Sequence, residues 1–286
     1  MIFNVSCALD CEVKFPSALI FSIHAQRNAS QRIVSETLTI EPRIETNEFT
    51  PAGSSNRFLR METQQHERFS LRYAATVDCQ FNVRSTGEIE TTSVGELDDA
   101  AVPFLFPSRY CQSDRLARLA WDLFGRIDKP HGKVIAITEW IHANVEYVRG
   151  TTDSGTSAYD TVTQRVGVCR DFAHLGIALC RALNIPARYF TGYAYELDPP
   201  DMHACFECYI GDNWLVFDAT RLAQLNGLVR IATGMDAADT AVASVFGDVS
   251  FKHMKVACGL GEGQTFIPIP HRHLARRGIA LPTEAG

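Results

Sequence analysis

The sequence predicts an α+β protein, with an antiparallel β domain first and a mixed helix-and-sheet domain second. Three features point there. Apolar and polar residues alternate with period two in the first third, helical spacing takes over after residue 113, and β-rich segments return after residue 187. With 286 residues, 46% of them hydrophobic, the chain can bury one large core or two smaller ones.

In the first third, Phe69, Leu71, Tyr73, Ala75, Val77, Cys79, Phe81 and Val83 alternate with mostly polar neighbours, the signature of one long half-buried strand. Residues 19–23 and 33–40 are rich in β-branched side chains, and Glu41-Pro42 stops the second run. Residues 1–100 are therefore expected to form the N-terminal β domain, and residues 101–286 the second domain. Residues 85–113 lose periodicity in Gly, Pro, Ser and acidic residues and read as a connection, although aromatic residues 104–110 can still pack.

Beyond the connection, Ser113 or Asp114 can cap a helix carrying Leu116, Leu119, Ala120 and Leu123 and ended by Gly125. A second helix is expected from about residue 133 to 144, with Ile137, Trp140 and Ile141 inward. In GVCRDFAHLGIALCRALNIP, Phe172, Leu175, Ala178, Leu179 and Leu183 share a broad apolar face, and the helix stops before Pro186. Cys169 falls in its first turn. ARYFTGYAYEL, HACFECYI and WLVFDAT read as strands, the last two joined by the tight-turn residues Gly211-Asp212-Asn213. Polar residues 147–164 suit a loop bordering a cleft, and a plain surface connection explains them equally well.

Composition narrows the chemistry. A net charge of -6 offers no basic field for nucleic acid or an anionic membrane, and a peptidic partner is easier to accommodate. No basic stretch precedes an apolar block at the start and no apolar run reaches membrane-spanning length, so a cytoplasmic protein is expected. Nine irregularly spaced cysteines argue for reduced thiols over a disulfide framework, most of them acting as small buried hydrophobes. No cofactor or metal is expected. Cys205-x-x-Cys208 has a chelating spacing, but on a strand the two side chains point to opposite faces. No calcium loop of alternating acids around a glycine is present. Oligomeric state is not legible.

Cys169 stands apart from the other thiols. A cysteine at a helix N-terminus faces unpaired N–H groups and the positive end of the helix dipole, which favour the thiolate nucleophile. Such a nucleophile needs an imidazole to take and return a proton, and a third group to fix the imidazole's tautomer. His203 opens one arm of the predicted hairpin and Asp218 closes the other, so antiparallel pairing can bring them together. Asp171 in the first helical turn is explained by capping, and His174 by helix packing; Arg170 has no derivable role.

The segments Gly167-Val168-Cys169-Arg170-Asp171-Phe172-Ala173-His174-Leu175, Asn184-Ile185-Pro186-Ala187-Arg188 with Thr191-Gly192-Tyr193, Asp201-Met202-His203-Ala204 with Phe206-Glu207, and Trp214 with Phe217-Asp218-Ala219-Thr220-Arg221 occur in this order. In them the chain resembles the transglutaminase-like superfamily, in its bacterial cysteine-peptidase-like branch, over roughly residues 115 to 250. The resemblance implies a papain-like transglutaminase core with a helix packed on an antiparallel sheet. It also implies Cys169 as nucleophile, His203 as acid and base, and Asp218 as orienter. Many relatives carry Trp where Cys205 stands and Arg where Met235 stands. Cys205 lies two residues from His203 on the same strand face, so that difference bears on pocket shape. The expected activity is thiol-dependent acyl transfer, favouring a cysteine peptidase or amidase acting on a peptide-like amide. The alternatives are a transglutaminase passing the acyl group to an amine, and a non-catalytic binding module of the same fold.

Overall fold

Alternating burial organises the N-terminal half. In a computed structural model, which describes residues 1–85, 87, 89 and 92–282, β1 (Ile2–Val13) buries Phe3, Val5, Cys7, Leu9, Cys11 and Val13 on one face. The strands that follow are β2 (Ala18–Phe21), β3 (Gln31–Glu41), β4 (Thr46–Phe49), β5 (Phe58–Glu62), β6 (Arg68–Cys79) and β7 (Asn82–Ser85). β6 lies antiparallel between β1 and β3, from Ile2 opposite Asp78 to Glu12 opposite Arg68 on the β1 side. Its buried Phe69, Leu71, Tyr73 and Val77 meet those of β1, and Leu19, Phe21, Leu59 and Met61 from β2 and β5 close the other side of the same core. Each large apolar side chain removed from water this way contributes roughly 1.5–3 kcal/mol.

The expected single strand through Val83 is two strands. β6 stops where the Met1 amino group donates to Cys79 O at 2.7 Å and Gln80 N turns to Ser30 O at 2.7 Å. Alternation continues past this point because Phe81 packs on a different core, and β7 pairs elsewhere. Residues 19–23 and 33–40 correspond to β2 and β3, whereas β1 was not foreseen as a strand.

The second half supplies α1 (Ser113–Phe124), α2 (Pro130–Asn144), β8 (Glu146–Tyr147), α3 (Ala158–Gln164), β9 (Val166–Gly167) and α4 (Cys169–Ala182). After them come β10 (Ala187–Ala194), β11 (Met202–Ile210), β12 (Asn213–Phe217), β13 (Leu228–Gly234), β14 (Ala243–Phe246), β15 (Val249–Leu260) and β16 (Arg277–Ala280). The N-cap of α1 is Gln112, so Ser113 and Asp114 lie inside the first turn, and Leu123 is exposed. α2 starts earlier than expected because Pro130, with no N–H to lose, occupies the first helical position. Within 147–164, residues 158–164 are helical, opened by Asp160 Oδ2 accepting from Ser157 N at 2.9 Å.

A six-stranded sheet in the order β13-β10-β11-β12-β16-β7 carries the core. On one face, Ala204, Phe206 and Cys208 of β11 pack against Phe172, Leu175, Ile177 and Leu179 of α4, with α1 and α2 outside. On the other, Tyr193, Val229 and Ile231 join the N-terminal β core, and Tyr193 Oη donates to Ile23 O at 2.6 Å. α4 is thus buried on all sides from Asp171 to Arg181, not along one stripe. Sheets cross residue 100 in both directions: β15 pairs with β1 and β14 with β2, while β7 pairs with β16 in the core sheet. The aromatic half of the connection packs, Phe104 lying edge-on to Trp214 at 5.2 Å and Tyr110 N donating to Asp236 at 2.9 Å.

Candidate active site

The site begins at the β11–β12 hairpin. Gly211 and Asp212 both have left-handed φ of 57°, the conformation a two-residue turn needs, and they set Ile210 opposite Asn213 and Phe206 opposite Phe217. One step further along this register, Asp218 stands beside Cys205 and diagonal to His203. Their side chains meet: His203 Nε2 lies 3.0 Å from Asp218 Oδ2, with both side chains 1% exposed.

The segment after β12 wraps around the Asp218 carboxylate. Oδ1 accepts from Thr220 N at 2.9 Å and Thr220 Oγ1 at 2.7 Å, and Oδ2 also accepts from Ala223 N at 3.3 Å. Burial opposes its charge, but His203 and Thr220 outweigh it and hold the carboxyl down at about 2. Burial likewise opposes a charged His203. The Asp218 carboxylate, its hydrogen bond and the nearby Cys169 sulfur override that and raise the imidazole to about 10. With Nε2 committed to Asp218, Nδ1 is the nitrogen left for other partners.

Cys169 is the first residue of α4, after the extended N-cap Val168. Asp171 Oδ2 accepts from Val168 N at 2.9 Å, satisfying a helix-start donor, and from Thr152 Oγ1 at 2.7 Å. Gly167 is required here, since a Cβ would stand 2.8 Å from that of Asp171. Arg170 reaches Asp153 O at 2.5 Å and Asp171 Oδ1 at 3.1 Å, so it and Asp171 tether the 149–156 loop to the helix start. That is a role for Arg170 the sequence did not reveal. His174 packs as expected, stacked on Tyr110 with ring centroids 5.0 Å apart, its Nε2 accepting from Ala237 N at 3.1 Å.

Cys169 and His203 line one cleft of about 290 Å³. The 147–164 segment borders it through Tyr147 and Arg149, the β10–β11 loop through Leu197, Asp198 and Asp201, and the start of β11 through Met202. At the mouth Arg149 faces Asp201 at 3.9 Å, the two 52% and 39% exposed. Sequence reading set the 147–164 segment beside a cleft but gave none of these individual residues a role. The pairing of Tyr147 with Gly167, two residues before Cys169, is the link that brings Tyr147 in, and a two-residue ladder leaves no periodic trace.

Cys205 and Cys208 are held apart, as strand geometry requires. Cys205 packs with Phe190, Val216 and Ile279, while Cys208 lies on the α4 side with its sulfur 3.6 Å from that of Cys180. All nine cysteines are free thiols, and only Cys169 and Cys258 among them are not fully buried.

Comparison with known proteins places this geometry. The Transglutaminase-like superfamily model matches residues 117–219, and that of the bacterial transglutaminase N-terminal domain matches residues 1–100. A crystal structure from Cytophaga hutchinsonii, described as a "Putative Cysteine Protease", is similar over 99% of this chain and 98% of its own, with 53% identity and a TM-score of 0.94. An uncharacterised protein of Mycobacterium leprae (strain TN) is 27% identical over 222 residues, covering 70% of this chain and 77% of its own. Two family models and a full-length relative agree on one assignment: this chain belongs to the transglutaminase-like superfamily.

Proposed function

We propose that this protein is a thiol-dependent acyl-transfer enzyme that hydrolyses a peptide-like amide, with Cys169 as nucleophile, His203 as acid and base, and Asp218 as the group that orients His203. The observation that carries this reading is the buried 3.0 Å His203–Asp218 contact behind a cleft that also holds Cys169. The cysteine protease name of the Cytophaga relative supports a peptide bond as the target.

In the acylation step the Cys169 thiolate attacks the carbonyl carbon, and the carbonyl electrons move onto oxygen. The Cys169 backbone N–H, with no intrahelical acceptor at the helix start, is the natural donor to that oxyanion. As the C–N bond breaks, the His203 imidazolium gives its proton to the leaving amine, and a thioester remains on Cys169. In the second step His203 takes a proton from water as the oxygen attacks the thioester. The carboxylic acid leaves, and thiolate and imidazolium are restored.

Water is favoured as acceptor because the cleft mouth is open, its Arg149 and Asp201 half exposed. Incubation with a glutamine-containing peptide and a labelled primary amine tests the choice. Release of ammonia or free acid in excess of labelled product is expected. Amine incorporation exceeding hydrolysis would make the protein a transglutaminase instead.

A further inference from the structure

Two arginines share one carboxylate on the face of the core sheet turned away from α4. Glu207 of β11 is fully buried there; its Oε2 accepts from Arg188 Nε at 2.7 Å, and its Oε1 accepts from Arg230 Nη2, which also donates to Leu281 O at 2.8 Å. The two cations are 8% and 1% exposed, so one buried positive charge is left over. Among the described residues, Arg188 Nη2 and Arg230 Nε and Nη1 have no hydrogen-bond partner although they are buried. Orphaned donors on a surplus buried charge cost stability unless something accepts from them.

Of the two, Arg188 reaches a cavity. It lines a space of about 700 Å³, more than twice the volume of the cleft at Cys169 and within the range of small-ligand pockets. Glu207 lies behind Arg188, so the guanidinium edge beyond Nε is the part turned to that space. The guanidinium rests over the Trp214 ring, 4.1 Å from its centroid, and Trp214 is packed in turn by Phe104 at 5.2 Å and Tyr209 at 5.3 Å. All three rings line the cavity and give it an aromatic wall. Asp98 and Asp212, both exposed, line it as well, so a buried cation at the back is matched by acids at the rim. A lone inorganic anion fits that arrangement poorly, and a molecule carrying both charges fits it well. We propose that this cavity binds a free amino acid or short peptide, its carboxylate on the spare donors of Arg188, its apolar side chain on the aromatic wall, and its ammonium turned toward Asp98 and Asp212. Tyr209 stands six residues along β11 from His203, roughly 20 Å at the rise of a strand, so this is a second site apart from the cleft. It stands whether or not Cys169 is the nucleophile.

The test is calorimetric titration of the full chain with the dipeptide Gly-Phe, its C-terminal amide, its N-acetyl form and inorganic phosphate, before and after alkylation of Cys169 by iodoacetamide. Gly-Phe is expected to bind at a single saturable site, equally well after alkylation. The amide should bind on the order of 10-fold more weakly or worse, because it offers the guanidinium no charged acceptor. Arg188→Lys keeps a cation beside Glu207 but loses the second edge of donors, and should weaken Gly-Phe to a similar extent while leaving the amide unchanged. Asp212→Asn should weaken Gly-Phe about 3-fold and leave the N-acetyl form unaffected. No saturable binding of Gly-Phe overturns the proposal, as does an amide that binds as tightly as the acid. Binding abolished by alkylation would place the peptide in the cleft, and phosphate that displaces Gly-Phe with equal affinity would reduce Arg188 to a plain anion site; either result overturns it too. Should Arg188→Lys fail to fold, the comparison of acid with amide in the wild-type protein still decides.

Discussion

His203 and Asp218 form a buried pair in which each side chain sustains the charge of the other, and this sets a direction for pH dependence. The folded His203 is raised from 6.5 to about 10. Its contribution to stability is therefore complete below about 6.5 and lost as pH rises toward 10. Asp218, lowered from 3.8 to about 2, contributes above 3.8 and loses its contribution as pH falls through 2. Asp218→Asn removes the charge that sustains the imidazolium. Turnover should drop roughly 100- to 10,000-fold, and the alkaline limb of the pH–rate profile should move to lower pH. An alkaline limb unmoved in Asp218→Asn would mean that His203 is not the group titrating there. The meeting of His203 with Asp218 was legible in the sequence because the hairpin spacing joins them, and the place of Cys169 because the apolar face of its helix starts there. Tyr147 and Arg149 were not, since their place depends on the short β8–β9 ladder and on a loop tethered by Arg170 and Asp171.

At the scale of elements, the contact between α4 and β11 holds the helix that opens with Cys169 against the strand that carries His203. Gly176 lies at its centre, where an added Cβ would stand 2.5 Å from Phe206 Cε1. Gly176→Ala should therefore destabilise the protein by about 1–3 kcal/mol, seen as a lower melting temperature. Any outward shift of α4 would also move Cys169 relative to His203, and displacement of about 1 Å can cost 100-fold in rate. An unchanged melting temperature would show that the helix can yield without loss. The existence of α4 and of the hairpin was readable from apolar spacing and turn residues. The burial of α4 on every side was not, because α1, α2 and the sheet cover its polar positions only in the assembled fold. Arg181 shows how: its guanidinium is spent on Ala187 O at 2.9 Å, Phe106 O at 3.0 Å and Met235 O at 2.8 Å.

Across the whole molecule, the two halves are bound by strands that return to sheets begun elsewhere. β15 pairs with β1 along most of its length, from Phe3 opposite Leu260 to Val13 opposite Val249, and β7 edges the core sheet through β16. Such long-range pairings leave no local mark, which explains why a simple division near residue 100 is what the sequence suggests. A fragment of residues 101–286 would leave β14 and β15 without β2 and β1, and expose Tyr193, Val229 and Ile231. Calorimetry should show one cooperative transition for the full chain, and the fragment should be insoluble or melt without cooperativity. A fragment with its own sharp transition would contradict the shared core. This shared core backs the sheet that holds His203, while α4 closes the opposite face and delivers Cys169 to the cleft.

Alkylation of Cys169 by iodoacetamide, followed by intact mass against pH in wild-type and His203→Ala proteins, tests the nucleophile assignment most directly. A Cys169 activated by its paired imidazole should react near neutral pH on the order of 30-fold faster than a free thiol, of which only a few per cent is ionised there. That advantage should disappear in His203→Ala. A wild-type Cys169 that reacts no faster than a free thiol, or equally fast without His203, would contradict the assignment.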